Sequence, residues 1–306
     1  MKNIAEFKTL AEFMEYFQDE ETCRRHFTAI RFRNGEYCPH CGHTKIYTFS
    51  NGKRYRCGSC KQDFTIKTGT VFGESKLPIK KWFIAIYLLS TTSKGISSVQ
   101  LAKHVGVTQK TGWFMDHRIR KAMKQNGGQL FGRVEADETF IGGRATNMHA
   151  KKRAEKDIRT GGWDKATVFG ARSREGEVKA QVIPSVHALH LHKAVKETVA
   201  PGSTLYTDKW VGYHGLVEYA REMVDHSAKQ YVNGDCHTNG IESFWAIFKR
   251  GFHGVYHQMS RKHLQRYVNE FLFRANRKTD DSQDMFHSVV TNISESSKLP
   301  YKELTA

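Results

Sequence analysis

Apolar positions between residues 76 and 126 recur at helical spacing in three stretches. The pattern predicts helices at 79–90, 97–104 and 108–124. A Ser or Thr precedes the second and third as a candidate N-cap, and a Gly-Val-Thr turn separates them. This turn length is typical of a helix-turn-helix, which we place at 76–126, after an N-terminal helical segment at 1–35.

From Phe131 the periodicity changes to strands alternating with helices, which predicts an α/β domain over 131–280. The tail, 281–306, is predicted to be loosely structured. The chain as a whole is expected to be a multidomain α+β protein. The elements predicted for the α/β domain are strands at 133–140, 166–173, 177–184, 203–208 and 221–227, helices at 187–199 and 211–220, and a long helical region at 240–277.

Four of the six cysteines lie in two knuckles, "CPHC" and "CGSC", with fifteen residues between them. Two thiolates from each knuckle can complete a tetrahedron around Zn²⁺, and the intervening strand, Asn-Gly turn and strand predict the hairpin of a zinc ribbon over 36–75. His40 and His43 are spare ligands beside four thiols. The alternative, a pair of disulfides, does not suit a reducing compartment. The predicted zinc ligands are Cys38, Cys41, Cys57 and Cys60.

The chain is strongly basic, with a formal net charge of +17 over 306 residues, which indicates a polyanionic partner. Nucleic acid is favoured over an anionic membrane, because the sequence contains no basic amphipathic helix with a strong apolar face. Improved solubility is the alternative explanation for the charge. No apolar run reaches the length of a membrane span, and the N-terminus carries acids where a signal peptide is apolar, so we expect a cytoplasmic protein.

The third helix of the first half concentrates this positive charge against a single acid, Asp116. Such a helix suits DNA, either in the major groove or along phosphates, and the alternative is a solvated basic face. A basic stretch at 142–162 is expected to order on a polyanion or to be a plain solvated insertion. The predicted DNA-binding residues are Lys110, Arg118, Arg120, Lys121 and Lys124.

The segment "VEADETFIGG" places three carboxylates in a stretch that otherwise has the composition of a buried strand. Alternation sends Glu135 and Asp137 to one face and Glu138 to the other. Buried carboxylates are paired or coordinate a metal. Asp208, at the end of a later strand, and Glu242, at the start of a helix, complete a set that can hold two Mg²⁺ ions about 4 Å apart for in-line phosphoryl transfer.

Each of these acids also has a simpler interpretation. Asp208 can cap the helix that follows it, and Asn239 to Glu242 has the spacing of a capping box. Glu135, Glu138 and Asp225 compete for the same role, although Glu138 is expected on the opposite face from Asp137.

The order of the motifs "CPHCG", "YRCGSC", "VEADETFIGG", "YTDKWVGY" and "NGIESFWAIFKR" resembles the zinc-ribbon-bearing DDE transposases of bacterial insertion sequences. The resemblance extends from the N-terminal helix to about Lys278. It implies a ribonuclease-H-like catalytic domain with a mixed sheet and a DDE triad at Asp137, Asp208 and Glu242. Some members carry Asn at the third position, and this chain retains Glu242. The family's basic residue after the third acid corresponds to Lys249.

We therefore expect a transposase that binds the ends of an insertion sequence as a homo-oligomer and acts on double-stranded end and target DNA, with no membrane partner. Structural Zn²⁺ and two catalytic Mg²⁺ or Mn²⁺ ions are the expected cofactors. Hydrolysis would free a 3′-hydroxyl that then attacks target DNA at the same site. A non-catalytic DNA-binding regulator derived from such an enzyme is the alternative, and a metal nuclease of the same fold without strand transfer is a third possibility.

Overall fold

A computed structural model of the chain describes residues 7–125, 127–143, 149, 151, 165–224 and 234–305. The chain forms two compact units, Met1–Met123 with Thr279–Ala306, and Lys124–Lys278. None of the helices in the described ranges has the length and apolar character needed to cross a bilayer. Asp225 and most of the basic stretch at 142–162 lie outside the described residues.

The ribbon of the first unit is a three-stranded antiparallel sheet rather than a simple hairpin. Strands β1 (Ile46–Thr48) and β2 (Arg54–Cys57) form the predicted pair. Gly52 in the turn between them has a φ of +62°, a conformation that glycine adopts without strain. An additional strand, β3 (Asp63–Thr65), pairs with β2 and was not predicted.

Between residues 7 and 123, the first unit contains five helices. The predicted N-caps of the fourth and fifth are confirmed, because the Ser97 side chain accepts a hydrogen bond from the Gln100 backbone and that of Thr108 from the Thr111 backbone. Gly106 ends the fourth helix with a φ of +67°. The helices are α1 (Leu10–Tyr16), α2 (Glu20–Arg31), α3 (Ile79–Thr91), α4 (Ser98–Val105) and α5 (Gln109–Ala122).

The second unit is built on a mixed five-stranded sheet with the order β6-β5-β4-β7-β8. Strands β4, β7 and β8 run parallel, and β5 and β6 are antiparallel to their neighbours. The elements are β4 (Arg133–Ile141), β5 (Ala166–Ser173), β6 (Val178–Ile183), α6 (Ala188–Thr198), β7 (Thr204–Asp208), β8 (Ala220–Val224), α7 (Asn239–Gly251) and α8 (Leu264–Asn276).

Helices cover both faces of this sheet, and the alternation along β4 separates the two cores. Val134 and Ala136 pack in a core with Leu191 and Val195 of α6. Ile141 lies in the other core with residues of α7 and α8. The face of β4 that carries Glu135 and Asp137 is therefore the face covered by α7.

Two predicted elements of the second unit are wrong in extent. The helix expected at 211–220 is a single 3₁₀ turn, Val211–Tyr213. The helical region expected at 240–277 is interrupted by a π-helical turn, Phe252–Tyr256, between α7 and α8. Gly251 and Gly254 flank or occupy this turn, where the low helix propensity of glycine favours a break.

The prediction of a loosely structured tail is also wrong. Residues Ser282–Glu295 form helix α9 and Tyr301–Thr305 form α10. Phe286 of α9 is completely buried, and its ring lies 5.1 to 5.6 Å from those of Phe7, Phe13, Phe17 and Phe83. Edge-to-face aromatic packing of this kind holds the tail in the core of the first unit.

Candidate functional site

The two cysteine knuckles bring their four thiols together in the ribbon. The Sγ atoms of Cys38 and Cys60 are 3.7 Å apart, and those of Cys41 and Cys57 are 3.6 Å apart. All four donor atoms lie within 4.8 Å of one another, and none of these cysteines is in a disulfide. The disulfide alternative therefore does not apply to this structure.

The spacing of the sulfurs is the spacing that zinc requires. Four Zn–S bonds of about 2.3 Å in a tetrahedron place neighbouring sulfurs about 3.8 Å apart. Backbone N–H groups of His40 and Ser59 also point at Cys38 Sγ and Cys57 Sγ, at 3.4 and 3.3 Å. Such N–H donors stabilise thiolates, which are the form that binds metal. The cysteine cluster thus fits a closed structural zinc site.

The register of the central sheet brings Asp137 and Asp208 to the same face of neighbouring strands. Strands β4 and β7 pair in parallel, with Arg133 opposite Thr204 and Glu135 opposite Tyr206. The pairing ends there, and Asp137 and Asp208 each follow two residues later on their strands, so alternation puts them on the same face as Glu135 and Tyr206. The two aspartates predicted from separate motifs therefore project from neighbouring strands on the face covered by α7.

Helix α7 carries the third acid to this face, and a glycine in β5 allows its close approach. Gly170 pairs with Asp137, and a Cβ atom at Gly170 would lie only 2.5 Å from the indole of Trp245. Trp245 and Phe248 are buried on the sheet, whereas Glu242 is exposed at the edge of the same helix. The interleaved apolar residues of α7 thus fix the rotation of the helix that presents Glu242 beside the strands.

The hydrogen bonds of Asp208 and Glu242 test the helix-capping roles that the sequence suggested for them. Asp208 Oδ1 accepts a hydrogen bond from the Trp210 backbone at 2.9 Å, so it does cap the turn that follows β7. The capping box expected at Asn239 does not form, because the helix begins one residue earlier, with Thr238 as N-cap and no side-chain cap bond. Instead the Thr238 hydroxyl donates to Glu242 Oε1 at 2.7 Å.

The electrostatics of the site indicate that the three acids influence one another. Burial raises the pKa of Asp137 to about 6, and the negative charges of Asp208 and Glu242 act in the same direction. The Lys249 ammonium acts in the opposite direction, which places it within electrostatic reach of Asp137. Burial is the main cause because it removes water from the ionised carboxylate, and the two further charges add to that cost.

The three acids do not converge as tightly as the four thiols. Within the part of the chain that the structure describes, the cysteines alone form a group of three or more potential ligands with all donor atoms inside 4.8 Å. Unlike thiols, ionised carboxylates repel one another in a site of low dielectric, and one oxygen of Glu242 is already held by Thr238. The acidic site therefore offers oxygen donors from three elements in an open arrangement.

Two competitors for the acidic role have partners elsewhere. Glu138 accepts a hydrogen bond from the Tyr213 hydroxyl on the opposite face of β4, as alternation predicts. Burial raises the pKa of Glu138 to about 8 and also raises the pKa of Tyr213. Glu135 is buried and ion-paired with Arg174.

Sequence reasoning did not identify Tyr213, Thr238 or Arg174, because their partners are distant in sequence or fixed only by the fold.

Two of the five predicted DNA-binding residues are unsuited to that role. Arg118 and Arg120 are buried in the first unit, at 3% and 1% exposure. The Arg118 side chain donates to the backbone oxygens of Gly73 and Leu299, and Arg120 lies 4.0 Å from the buried Asp116. These arginines face inward because the C-terminal half of α5 packs in the core, so a helical charge count overestimated the exposed basic surface.

The other three predicted DNA-binding residues differ in exposure. Lys110, at the start of α5, and Lys124, just after it, are exposed. The half-buried Lys121 donates to Ser297 Oγ and the Lys298 backbone, both at 3.1 Å.

Comparison with known proteins identifies relatives for both halves of the chain. Residues 129–276 match the family of ISXO2-like transposase domains, and residues 18–63 match the transposase zinc-ribbon domain. A protein of the transposable element ISH50 from Halobacterium salinarum, itself uncharacterized, is 30% identical over 272 residues, covering 84% of this chain and 91% of the relative. An uncharacterized transposase-like protein from Haemophilus influenzae is 30% identical over 112 residues, covering 35% of this chain and 87% of the relative.

These relatives agree with the architecture, since the ribbon family covers the cysteine knuckles and the transposase family covers the mixed sheet with its three acids. The match to the relative from Halobacterium salinarum extends over most of both chains. The chain belongs to the zinc-ribbon-bearing, ISXO2-like DDE transposases of insertion sequences.

Proposed function

We propose that this transposase binds the ends of its insertion sequence and catalyses phosphodiester hydrolysis followed by strand transfer, with Asp137, Asp208 and Glu242 as the catalytic acids. The observation that carries the proposal is the register of β4 and β7. It supports an arrangement in which two aspartates from distant motifs share one face of neighbouring strands, and α7 is packed against that face.

The donor set of this site suits Mg²⁺ or Mn²⁺. Carboxylate oxygens are the preferred ligands of these hard cations, and the raised pKa of Asp137 reflects a buried carboxylate with two further acids within electrostatic reach. When bound, two such ions would stabilise the attacking and leaving oxygens of an in-line displacement. Asp137 and Asp208 would hold the ions from the sheet, and Glu242 would complete the second site from α7.

The residues around the acids have roles that follow from their contacts. Thr238 fixes one oxygen of Glu242, which limits the rotamers of that side chain. Lys249 is exposed on α7 and follows Glu242 by seven residues, or two turns, so it projects from the same side of the helix. We assign it a contact with a phosphate next to the scissile bond, where its charge offsets the negative charge of the transition state.

DNA recognition is assigned to the ribbon, held by one Zn²⁺ on its four thiols, and to the exposed start of α5. Lys110 and its exposed neighbours Thr108 and Gln109 occupy the end of the second helix that contacts base edges in helix-turn-helix proteins. Lys124 is exposed as well and is assigned to a phosphate. An element has two ends, so we propose that at least two copies of the chain act together.

The test combines cleavage, strand transfer and binding on the same preparations. Asp208→Asn is expected to abolish Mg²⁺-dependent cleavage of end DNA, with a loss of at least about a thousandfold, while gel shifts on end DNA stay within about twofold. The matched control is Glu218→Gln, an exposed acid paired with Lys196 on the same unit, which should cleave normally.

The outcomes separate the alternatives. End binding by the wild-type protein without cleavage in Mg²⁺ or Mn²⁺ would identify a non-catalytic regulator. Cleavage without joining of the 3′ ends to target DNA would identify a nuclease. Normal cleavage by Asp208→Asn would refute the assignment of the acids.

A further inference from the structure

Glu135 is a buried carboxylate on the same face of β4 as Asp137, two residues before it. It is 3% exposed, and its Oε1 atom forms a short ion pair with Arg174 Nη1. His237 Nδ1 lies 3.4 Å from the same oxygen, and Arg174 Nη1 is 2.8 Å from His237 Nε2. Arg174 also donates through Nη2 to the Asp235 backbone oxygen at 2.6 Å. The segment that leads into α7 is therefore tied to the sheet by charged side chains.

The other oxygen of Glu135 reaches the first turn of α7 itself. The backbone N–H of Ile241 donates to Glu135 Oε2 at 2.8 Å, and Arg172 Nη1 donates to the Gly240 backbone oxygen at 2.9 Å. A carboxylate at a helix N-terminus satisfies an unpaired N–H and interacts favourably with the helix dipole. One residue of β4 and one of β5 thus bind the two ends of a single peptide group, the one that links Gly240 to Ile241.

Gly240 lies directly at this contact. A Cβ atom there would lie 2.8 Å from both Glu135 Oε2 and Arg172 Nη1, which is closer than real Cβ contacts allow. An alanine at this position of "NGIES" would therefore require the ends of these two charged side chains to move. Its neighbour Ile241 is fully buried, and the residue after that is Glu242.

We infer that Glu135 is a positioning residue, which together with Arg174 and Arg172 sets the start of α7 and so places Glu242 relative to Asp137 and Asp208. The inference rests on the proposed function of the three acids and adds the part of the structure that brings the third acid to the other two. It also explains why β4 carries a buried acid before Asp137.

The contacts of Glu135 distinguish this role from that of a fourth metal ligand. Its Oε1 is engaged by Arg174 and its Oε2 by the Ile241 N–H. A cation near these atoms would have to displace a guanidinium that is already paired with the carboxylate. Residues that orient ligands from behind change metal affinity by about 10- to 100-fold when they are replaced.

The test measures Mn²⁺ binding by electron paramagnetic resonance on the zinc-loaded full chain, together with single-turnover cleavage. Glu135→Gln keeps the size of the side chain but turns an amide toward Arg174. We expect Mn²⁺ binding at least about tenfold weaker, and a higher Mg²⁺ concentration for half-maximal cleavage, with binding of end DNA unchanged. Arg174→Lys retains the charge but lacks the paired donors of the guanidinium, so it should weaken Mn²⁺ binding by a smaller factor. This variant provides the test if Glu135→Gln does not fold.

The matched control is Glu270→Gln. Glu270 is fully buried on α8, which packs on the edge strand β6, and it accepts hydrogen bonds from Arg274 Nη1 and the Tyr256 hydroxyl, both at 2.6 Å. Loss of the Glu270 ion pair should lower the melting temperature, as should loss of the Glu135 ion pair. Unlike the latter, it should leave the Mn²⁺ affinity of the folded molecules unchanged.

The outcomes separate this inference from the proposed function. Asp137→Asn tests the proposed function. If Asp137→Asn binds Mn²⁺ as tightly as the wild type does, the acidic site itself is refuted. With that site established, wild-type Mn²⁺ affinity in folded Glu135→Gln and Arg174→Lys would refute the positioning role. Complete loss of Mn²⁺ binding in Glu135→Gln but wild-type binding in Arg174→Lys would instead make Glu135 a ligand.

Discussion

The cysteine cluster of the ribbon and the acidic site of the sheet are assembled by different means. Each pair of thiols comes from one tight knuckle, and a short hairpin brings the two pairs together, so that all four sulfurs lie within 4.8 Å. The acids come from two strands and a helix, and their approach depends on strand register, on the packing of α7 and on the ion pair of the buried Glu135 with the partly exposed Arg174.

The difference agrees with the chemistry that we propose for each site. A structural zinc site is closed by four protein ligands, which a local loop geometry can supply. A site for phosphoryl transfer has to leave room for substrate, so its ligands are held apart on rigid elements. A substitution in the ribbon should therefore destabilise it through loss of the metal. A substitution beneath the acidic site should instead destabilise the second unit through loss of packing.

The largest expected effect is on the ribbon. Cys57→Ser removes one thiolate, and we expect the ribbon to lose its zinc and unfold locally, because structural zinc contributes about 10 kcal/mol or more to small domains. Metal analysis should find about one zinc per chain in the wild type and none in the variant. Cys23→Ser, at a buried cysteine outside the knuckles, is the control that should keep the metal. A wild-type protein without zinc would contradict the ribbon assignment.

Packing under the acidic site is the next most sensitive feature. Gly170→Ala would push a methyl group against Trp245 at 2.5 Å, and we expect a loss of about 3 kcal/mol in the free energy of unfolding of the second unit as α7 is displaced. Gly128→Ala, at a glycine with open space around it, should cost little. Urea unfolding with zinc content as a second readout would check both. Equal stability of the two variants would show that α7 is not held as closely as described.

The two units should also respond oppositely to pH. His26 and His287 stack in the first unit with ring centroids 5.1 Å apart, and burial lowers the pKa of each to about 4. As pH falls, these histidines are protonated in the unfolded chain before they are protonated in the folded one. The free energy of unfolding of the first unit should therefore fall by up to about 3 kcal/mol per ring between pH 6.5 and pH 4.

The second unit should show the opposite trend. Burial raises the pKa of Glu138 to about 8, so the folded form binds this proton first and the second unit should gain stability as pH falls from 8 toward 4.5.

Hydrogen exchange resolved by peptide, corrected for intrinsic rates and recorded without added Mg²⁺, would report each unit separately. His287→Phe should flatten the response of the first unit without changing that of the second. Parallel responses of the two units would contradict the assignment of these buried groups.

The smallest expected effect concerns Lys249. Lys249→Ala should slow cleavage by about tenfold, equivalent to about 1.4 kcal/mol of transition-state stabilisation, with zinc content unchanged. Arg250→Ala changes an exposed cation on the next position of the helix, about 100° away, and should have the weaker effect. Single-turnover rates at saturating DNA would separate catalysis from binding. An unchanged rate for Lys249→Ala would leave this lysine a solvated surface residue.

Local patterns predicted much of the molecule. The spacing of the cysteines predicted the ribbon cluster, the alternation of apolar residues predicted strands β4 to β7, and the N-caps Ser97 and Thr108 were correct. Alternation also placed Glu138 on the opposite face from Asp137, where it contacts Tyr213. These features depend on residues within a few positions of one another, and backbone geometry and periodicity are sufficient to fix them.

The errors lie where distant segments meet. The tail lacks an obvious period, yet Phe286 is buried among aromatic rings from residues more than 200 positions earlier. Arg118 and Arg120 belong to a basic helix, yet the core of the first unit covers them. The sequence of a helix does not reveal which of its charged residues will be buried, because that depends on the segments that pack against the helix.

The sequence by itself determined which groups are available: four thiols at zinc spacing, acids at the ends of strands and helices, and an excess of positive charge. The tertiary structure alone decided that Asp137 and Asp208 share a face of neighbouring strands and that α7 packs closely on the sheet at Gly170 and Gly240. It also decided that Glu135 pairs with Arg174 rather than joining the acids. Strand register, close packing and the pairing of buried charges depend on contacts between segments far apart in the chain, and no local pattern encodes them.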